Sequence, residues 1–232
     1  MVDFFSNVNK FVPQFIQAFF VTLQLASLSL VFATIIGIIV GLINTSQSKN
    51  IVMVVLRGLA KVYIEIIRGT PMLVQILIVY FGIPQALRPL GFSWLRYGGV
   101  FSAGVVVLAI NAGAYMSEIV RAGIEAVDAG QIEASRSLGL NYFQTMRKVV
   151  LPQAIRTMLP SIVNQFIISI KDTSLMSMVG LPELTNTGKT IAAVWSSQTM
   201  MLYCFMALFY LVICLGLSKV ALILERRMTY GR

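Results

Sequence analysis

The chain has 232 residues, of which 57% are hydrophobic and only 12% are charged, with a mean hydropathy of +0.83. Soluble domains carry about 25% charged residues, so this composition excludes a soluble globular protein. The net charge of +9 is the lysine and arginine excess that membrane proteins place on their cytoplasmic side, rather than a sign of nucleic-acid binding. The chain has no histidine, which excludes histidine-based acid–base chemistry and histidine metal ligands.

Five apolar segments are long enough to cross a bilayer as helices, which takes about 20 residues each. They lie at about 15–43, 62–86, 97–120, 155–178 and 197–222. In the first, Gly37 and Gly41 form a GxxxG motif that predicts close helix packing within the chain, and pairing with another subunit is the alternative. In the second, Gly69-Thr70-Pro71 predicts a break or kink, because proline has no backbone N–H. The segments together predict one all-α integral membrane domain that covers residues 1–232.

The two cysteines, Cys204 and Cys214, fall ten residues apart in the last apolar run. Ten helical residues rise about 15 Å, which is too far for a disulfide between them. We expect two buried apolar thiols.

Lysine and arginine positions predict how the chain is oriented. Thirteen of the 18 fall on one side of the five predicted spans and five on the other, and the cytoplasmic side carries the excess. The N-terminus is therefore expected outside and the C-terminus in the cytoplasm. The longest cytoplasmic loop lies at about 126–152, between spans three and four.

This loop predicts a short helix, a sharp turn and a second helix. Gly139 stands where a helix ends on a left-handed residue, and Asn141 can cap the helix that follows. Pro152 fits the first turn of the fourth span. Ala134 and Ser135 are small, so another surface can approach the short helix closely. The pattern predicts docking to a cytoplasmic partner, and a helix lying on the lipid headgroups is the alternative.

The same loop resembles the EAA motif of ABC importer permeases. The matching residues are Glu133-Ala134-Ser135, Gly139 after three residues, Val149 after nine more, and Leu151-Pro152 after one more. Ser135 replaces the family's alanine and Val149 its isoleucine. Three further segments are similar to polar amino acid permeases: Arg68-Gly69-Thr70-Pro71, residues 114–124, and Lys171-Asp172-Thr173-Ser174-Leu175.

The resemblance implies a permease subunit of an ATP-driven polar amino acid importer, a multi-pass protein of the bacterial inner membrane. It implies a second permease chain, identical or different, two cytoplasmic ATPase subunits that hold ATP and Mg²⁺, and an external amino-acid-binding protein. It also assigns ATPase coupling to Glu133, Ala134, Ser135, Gly139, Leu151 and Pro152. The chain itself is expected to bind no cofactor, metal or nucleic acid and to catalyse no reaction. Neutral, acidic and basic amino acids all remain candidate substrates.

Polar side chains inside the predicted spans are candidates for the substrate pathway, because lipid does not tolerate them without a partner or a cavity. The candidates are Gln75, Asn111, Tyr115, Gln165, Ser169, Lys171 and Asp172. Asn111 and Tyr115 share one face of span three, and Gln75 follows the break in span two, a feature that lines substrate sites in transporters. Packing or a structural hydrogen bond is the alternative role for each.

Charged residues near the ends of two spans are expected to pair along their own helices, Glu65 with Arg68 and Glu118 with Arg121.

Two other classes of function compete with transport by an ABC permease. A membrane-embedded enzyme lacks histidine and a carboxylate cluster at one depth. A channel or scaffold without an ATPase partner is the remaining alternative, and the EAA-like spacing argues against it.

Overall fold

The computed structural model describes residues 2–229, and the side chains of residues 9–226. This part of the chain is helical and contains no strand, which confirms the all-α class. The helices are α1 (Val2–Thr45), α2 (Ile51–Gly69), α3 (Met72–Leu77), α4 (Ile83–Ala86), α5 (Gly99–Glu125), α6 (Ala129–Ser137), α7 (Tyr142–Thr145), α8 (Leu151–Asp172), α9 (Leu184–Val194) and α10 (Thr199–Thr229).

The chain forms two compact units. Unit 1 contains Met1–Val31, Thr70–Ala109 and Phe166–Gly216. Unit 2 contains Phe32–Gly69, Ile110–Gln165 and Leu217–Arg232.

Among the described residues, three helices are long and apolar enough to cross a membrane: Asn9–Thr45, Gly99–Glu125 and Ser196–Arg226. The helix pair Ile51–Gly69 and Met72–Ala86 is a fourth candidate if it is counted as one interrupted span. The helix α8, which carries Lys171 and Asp172, is not among them. The five-span topology and its orientation therefore remain predictions.

The second predicted span is not one continuous helix. Its first helix begins at Ile51, well before the predicted start at 62, and ends at Gly69. Pro71 is extended, with φ −62° and ψ 136°, and the next helix begins at Met72. The predicted break is confirmed, and it falls at Thr70 because the residue before a proline is pushed out of the helical region.

The core of unit 1 includes an aromatic cluster where α1, α9 and α10 meet. Phe15 is fully buried, and its ring stacks on Phe209 at 5.9 Å and meets Phe205 edge-on at 5.3 Å. Leu184 and Leu202 are buried in the same cluster. Such rings bury large apolar areas and favour offset or edge-to-face contacts, so they hold these three helices together.

In unit 2, α1 packs closely against α5 through its two motif glycines. A Cβ atom on Gly37 would lie 2.5 Å from Cβ of Met116, and one on Gly41 would lie 2.7 Å from Cβ of Val120. Real Cβ atoms do not approach this closely, so only glycine permits this distance between the helices. The predicted packing within the chain is confirmed.

The cysteines do not lie where the sequence suggested. Cys204 is exposed and Cys214 is partly exposed, and both are free thiols. The absence of a disulfide between them is as predicted, but their expected burial is wrong. Leu202, Phe205 and Phe209 of α10 belong to the aromatic cluster, but most of the remaining apolar surface of α10 is uncovered by the rest of the described chain.

Candidate substrate and coupling sites

The short helix α6 ends in a complete glycine turn. Asp128 caps its start by accepting the N–H of Gln131 at 3.3 Å. At its end Gly139 has φ +83°. The N–H of Gly139 donates to Arg136 O at 3.0 Å, and the next N–H, of Leu140, reaches back to the residue 135 carbonyl at 3.2 Å. This is the Schellman arrangement, and the predicted left-handed turn is confirmed.

The following helix begins as predicted and runs without interruption into α8. Asn141 and Gln144 form a capping box, with both hydrogen bonds at 2.9 Å. The helical backbone then continues from α7 through a π turn at Met146–Val150 into α8. Pro152 is the second residue of α8. Its missing N–H and the bulk of its ring account for the widened turn before it.

Ser135 does not contribute to an open face, contrary to the prediction. It is buried, and its hydroxyl donates to Ile132 O at 2.8 Å and bonds the Thr145 hydroxyl at 3.0 Å. The Thr145 side chain is buried as well. Ser135 therefore faces α7 and fixes the angle between the two short helices, which the family's alanine cannot do by hydrogen bonding.

The opposite side of this helix pair is exposed and partly apolar. Glu133 and Ala134 are exposed, and Leu138 and Phe143 have 84% and 73% of their surface accessible. Glu133 makes no ion pair within the described residues. Exposed large apolar side chains beside a charge are typical of an interaction surface.

A cavity of about 390 Å³ lies within unit 2, and one of its walls is charged. Arg68 of α2 joins Glu118 and Arg121 of α5 in this wall. Oε2 of Glu118 lies 2.9 Å from Arg121 and 3.5 Å from Arg68. The Arg68 guanidinium also lies 5.4 Å over the ring of Tyr115, which is a cation–π distance. The outer side of Arg121 bonds Glu125 at 2.6 Å.

These contacts settle the two predicted ion pairs. The Glu118–Arg121 pair is confirmed. The Glu65–Arg68 pair is wrong, because Arg68 reaches across to α5 instead. Glu65 is exposed and has no ion pair within the part of the chain that the structure describes.

The other wall of the cavity is formed by polar side chains of α8. Thr157, Ser161 and Gln165 all line it, and their spacing of four residues places them on one helix face. Gln165 is only 5% exposed. No hydrogen bond joins its amide to another described residue, so its donors and acceptor are available to a ligand in the cavity that Gln165 lines. The sequence signal is the recurrence of polar residues at 157, 161 and 165, of which only the last was predicted as a pathway residue.

The remaining pathway candidates are divided between the two units. Gln75 is buried in unit 1, and its amide donates to the carbonyl and hydroxyl oxygens of Thr70 at 3.1 and 2.9 Å. Ser169 is buried there with an unbonded hydroxyl, while Lys171 is exposed and Asp172 is half-buried. Asn111 is buried in unit 2. The structure thus brings Tyr115 and Gln165 to one cavity, and the convergence of the others stays a prediction.

Comparison with known proteins places the chain in a family. The family model of binding-protein-dependent transport system inner membrane components matches residues 33–230. The chain belongs to this family of permeases. The glutamine transport system permease protein GlnP of Escherichia coli K12 is 39% identical over 217 residues, which are 94% of each chain. The putative glutamine permease GlnP of Rickettsia felis is 31% identical over 97% of this chain and 98% of its own.

Solved structures agree with this assignment. A crystal structure of an amino acid ABC transporter with histidines is 40% identical, with a TM-score of 0.85, and covers 98% of this permease and 99% of its own chain. An inward-facing structure of the MetNI methionine ABC transporter has a TM-score of 0.72 over 93% of this chain and 98% of its own. At 18% identity that likeness shows the fold alone.

The protein is therefore a permease subunit of an amino acid ABC importer and a multi-pass protein of the bacterial inner membrane, and it is not itself an enzyme. The resemblance to polar amino acid ABC permeases is confirmed, and the channel or scaffold alternative is set aside. Membership of the family implies ATPase subunits and a substrate-binding protein as partners.

Sequence reasoning missed a buried carboxylate in unit 1 of the permease. Glu183 is fully buried at the start of α9, where it accepts hydrogen bonds from two backbone N–H groups and from the Tyr210 hydroxyl. Burial raises the pKa of Glu183, and the three hydrogen bonds oppose that shift. An acidic residue directly before a run of helix-forming residues is a helix-start signal that could have identified it.

Proposed function

We propose that this permease carries an uncharged polar amino acid through the cavity of unit 2 and couples its passage to ATP hydrolysis through α6 and α7. The observation that carries the proposal is the pairing of the charged wall, Arg68, Glu118 and Arg121, with the unused amide of Gln165. Every α-amino acid presents a carboxylate and an ammonium group. A guanidinium matches the first in geometry and charge, and a carboxylate matches the second.

The charges and the volume favour an uncharged side chain on the substrate. Arg68 and Arg121 are balanced by Glu118 and Glu125 within this ion-pair network, so no net charge selects an acidic or basic side chain. The Gln165 amide offers both donors and an acceptor, which suits a side-chain amide or hydroxyl. A volume of about 390 Å³ falls in the range of small-molecule sites, about 300–1,000 Å³. Glutamine, which the curated relatives name, fits this description.

The rest of the pathway is proposed from the polar side chains of both units. Gln75, Asn111, Ser169, Lys171 and Asp172 are polar residues within the helices α3, α5 and α8. Polar side chains inside a membrane helix usually face a partner or a cavity rather than lipid. Lys171 is the proposed partner of the substrate carboxylate along this pathway, since it is exposed and every amino acid has that group.

Coupling is proposed to run through the exposed side of α6 and α7. Leu138 and Phe143 supply apolar surface, and Glu133 supplies charge, for docking to an ATPase subunit. Gly139 fixes the turn between the helices, and Leu151 with Pro152 connects them to α8. We propose two permease chains, identical or different, two ATPase subunits that hold ATP and Mg²⁺, an external binding protein, five spans and a cytoplasmic C-terminus.

The test is uptake of labelled L-glutamine by vesicles that contain the permease with its ATPase and binding protein. Gln165→Leu should raise the KM for uptake by about tenfold or more, because losing a hydrogen bond to a buried polar group costs about 1–3 kcal/mol. Gln153→Leu is the matched control, since Gln153 is exposed on the same helix and its amide bonds Val149 O. Equal KM values for wild type and Gln165→Leu would contradict the proposed site.

Two further variants test the wider pathway. Asn111→Ala and Lys171→Ala should assemble with the ATPase in normal amounts and show reduced uptake per assembled complex. Normal uptake in both would remove them from the pathway, and loss of assembly in both would assign them to packing. Competition by unlabelled L-glutamate, L-lysine and L-leucine measures the selectivity, and we expect each to compete less than L-glutamine.

A further inference from the structure

A network of hydrogen bonds joins the first turn of α9 to α10 in unit 1. The carboxylate of Glu183 accepts the N–H groups of Asn186 at 2.7 Å and Thr185 at 2.8 Å, and the hydroxyl of Tyr210 at 3.0 Å. The hydroxyl of Thr185 lies 3.0 Å from the same Tyr210 oxygen. The first two bonds cap α9, and the other two cross to α10.

The same turn is also joined to α1. The N–H of Leu184 donates to the hydroxyl of Thr22 at 3.2 Å, and Thr22 in turn donates to Ala18 O at 3.0 Å. Thr22, Glu183 and Leu184 are all buried. The first turn of α9 is therefore bonded to two separate long helices: to the part of α1 before Val31, through Thr22, and to α10, through Tyr210.

Apolar packing supports these bonds along the rest of α9. Leu184 and Ile191 belong to the aromatic cluster that includes Phe15 of α1 and Leu202 of α10. Gly188 permits a close approach, because a Cβ there would lie 2.8 Å from the sulfur of Met206. The contact between α9 and α10 thus runs over more than one turn of α9.

Separating these helices would leave buried polar groups without partners. The buried Glu183 carboxylate would lose the Tyr210 donor, and the buried Leu184 N–H would lose its acceptor. Buried charges and N–H groups without partners are strongly disfavoured. The network therefore resists any motion of α9 relative to α1 and α10.

We propose that α9 moves together with α10 and the first part of α1 as one body during transport, and that Glu183 is the positioning residue that holds it there. The proposal rests on the transport cycle of the importer and requires that no gate opens between α9 and α10. The position of α9 in the chain suits this role. It follows the segment Thr173–Val179, which comes directly after Lys171 and Asp172. A fixed α9 would hold the end of that segment while substrate passes.

A disulfide between α9 and α10 tests the rigid link directly. The ideal Cβ of Gly188 lies 3.6 Å from Cβ of Met206, within the usual range of about 3.5–4.5 Å for a disulfide. The variant is Gly188→Cys with Met206→Cys, made after both natural cysteines are replaced by serine, in the complete transporter in vesicles. We expect the disulfide to form on oxidation and uptake to change little.

Two results of this experiment would overturn the proposal. One is a loss of uptake of about tenfold or more that dithiothreitol reverses, because α9 would then have to leave α10 in each cycle. The other is failure of the disulfide to form in a complex that transports, because the two helices would then not keep this spacing. Each single cysteine variant, treated with the same oxidant, controls for damage unrelated to the cross-link.

Tyr210→Phe tests the positioning role of the hydrogen bonds. It removes the hydroxyl that bonds Glu183 and should lower uptake several-fold, while Tyr203→Phe, an exposed tyrosine of the same helix, should not. In the oxidised double-cysteine background the disulfide replaces the lost link, so uptake of Tyr210→Phe should recover. Normal uptake by Tyr210→Phe, or no recovery with the disulfide formed, would overturn the role. A wild-type complex that hydrolyses ATP but takes up no amino acid would instead refute the proposed function.

Discussion

The glycine turn of the coupling loop allows a quantitative test, because its conformation can be perturbed without adding a steric clash. A Cβ on Gly139 would meet no atom within 4 Å, yet the residue has φ +83°. Gly139→Val therefore changes only the conformational energy of the turn. The left-handed conformation costs an L-residue about 1–2 kcal/mol. If the turn opens instead, the bonds to the carbonyls of Arg136 and Ser135 are lost, at about 1 kcal/mol each.

A cost of about 1–2 kcal/mol shifts the population of the native turn by about 5- to 30-fold, since 1.4 kcal/mol is a factor of ten. The assay compares ATP hydrolysed with amino acid transported, and we expect Gly139→Val to lose this coupling while the membrane helices still insert. Gly139→Asn is the matched control, because asparagine adopts the left-handed conformation readily. Wild-type transport by the valine variant would refute the reasoning. Equal damage by asparagine and valine would mean that the side chain blocks a docked surface and that the turn itself is not the cause.

Three further predictions concern packing, topology and pH. Gly41→Ala should lower the unfolding temperature through overpacking of about 1–3 kcal/mol, whereas Gly58→Ala, with no atom within 4 Å of the new Cβ, should leave it unchanged or raise it slightly. The exposed residues Ser137 and Lys189 can each be replaced by cysteine after removal of the native cysteines. An impermeant thiol reagent should label position 137 only from the cytoplasm and position 189 only from outside. Labelling of both from one side would refute the five-span topology. The pKa of Glu183 is raised in the folded state, so its contribution to stability is fully present below the pKa of an unfolded glutamate and is lost as pH rises through the folded pKa. Between these two pKa values the unfolding temperature of wild type should therefore fall relative to that of Glu183→Gln. Parallel curves of unfolding temperature against pH for the two proteins would contradict this.

Features that depend on neighbouring residues in the sequence could be predicted, and features that depend on contacts between helices could not. The turn at Gly139 and the cap at Asn141 are encoded within a few residues, and both are confirmed. Ser135 was expected on an open face because its burial depends on Thr145, ten residues later, packing against it. The same limit applies to the cavity, where pairing within a helix was expected for Arg68 and its guanidinium instead reaches another helix.

The helices α5 and α8 connect the cavity to the coupling loop, which gives a physical route between them. Glu118 in the cavity wall lies seven residues before Glu125, the last residue of α5, which is about 10 Å along the helix, and α6 begins four residues later. Between them, Val120, Ile124 and Val127 pack with residues of α8 in one buried cluster. Packed interiors pass displacements on with little compression, so we expect a movement of α6 to reach the cavity through both α5 and α8. The ion pair between Glu118 of α5 and Arg68 of α2 lies at the end of this route. Because it joins two helices, a shift of α5 would change the 3.5 Å distance between these side chains before it changed any contact within α5 itself. We therefore expect ATPase docking at α6 to change substrate affinity at the cavity, and by linkage substrate to change docking by the same factor.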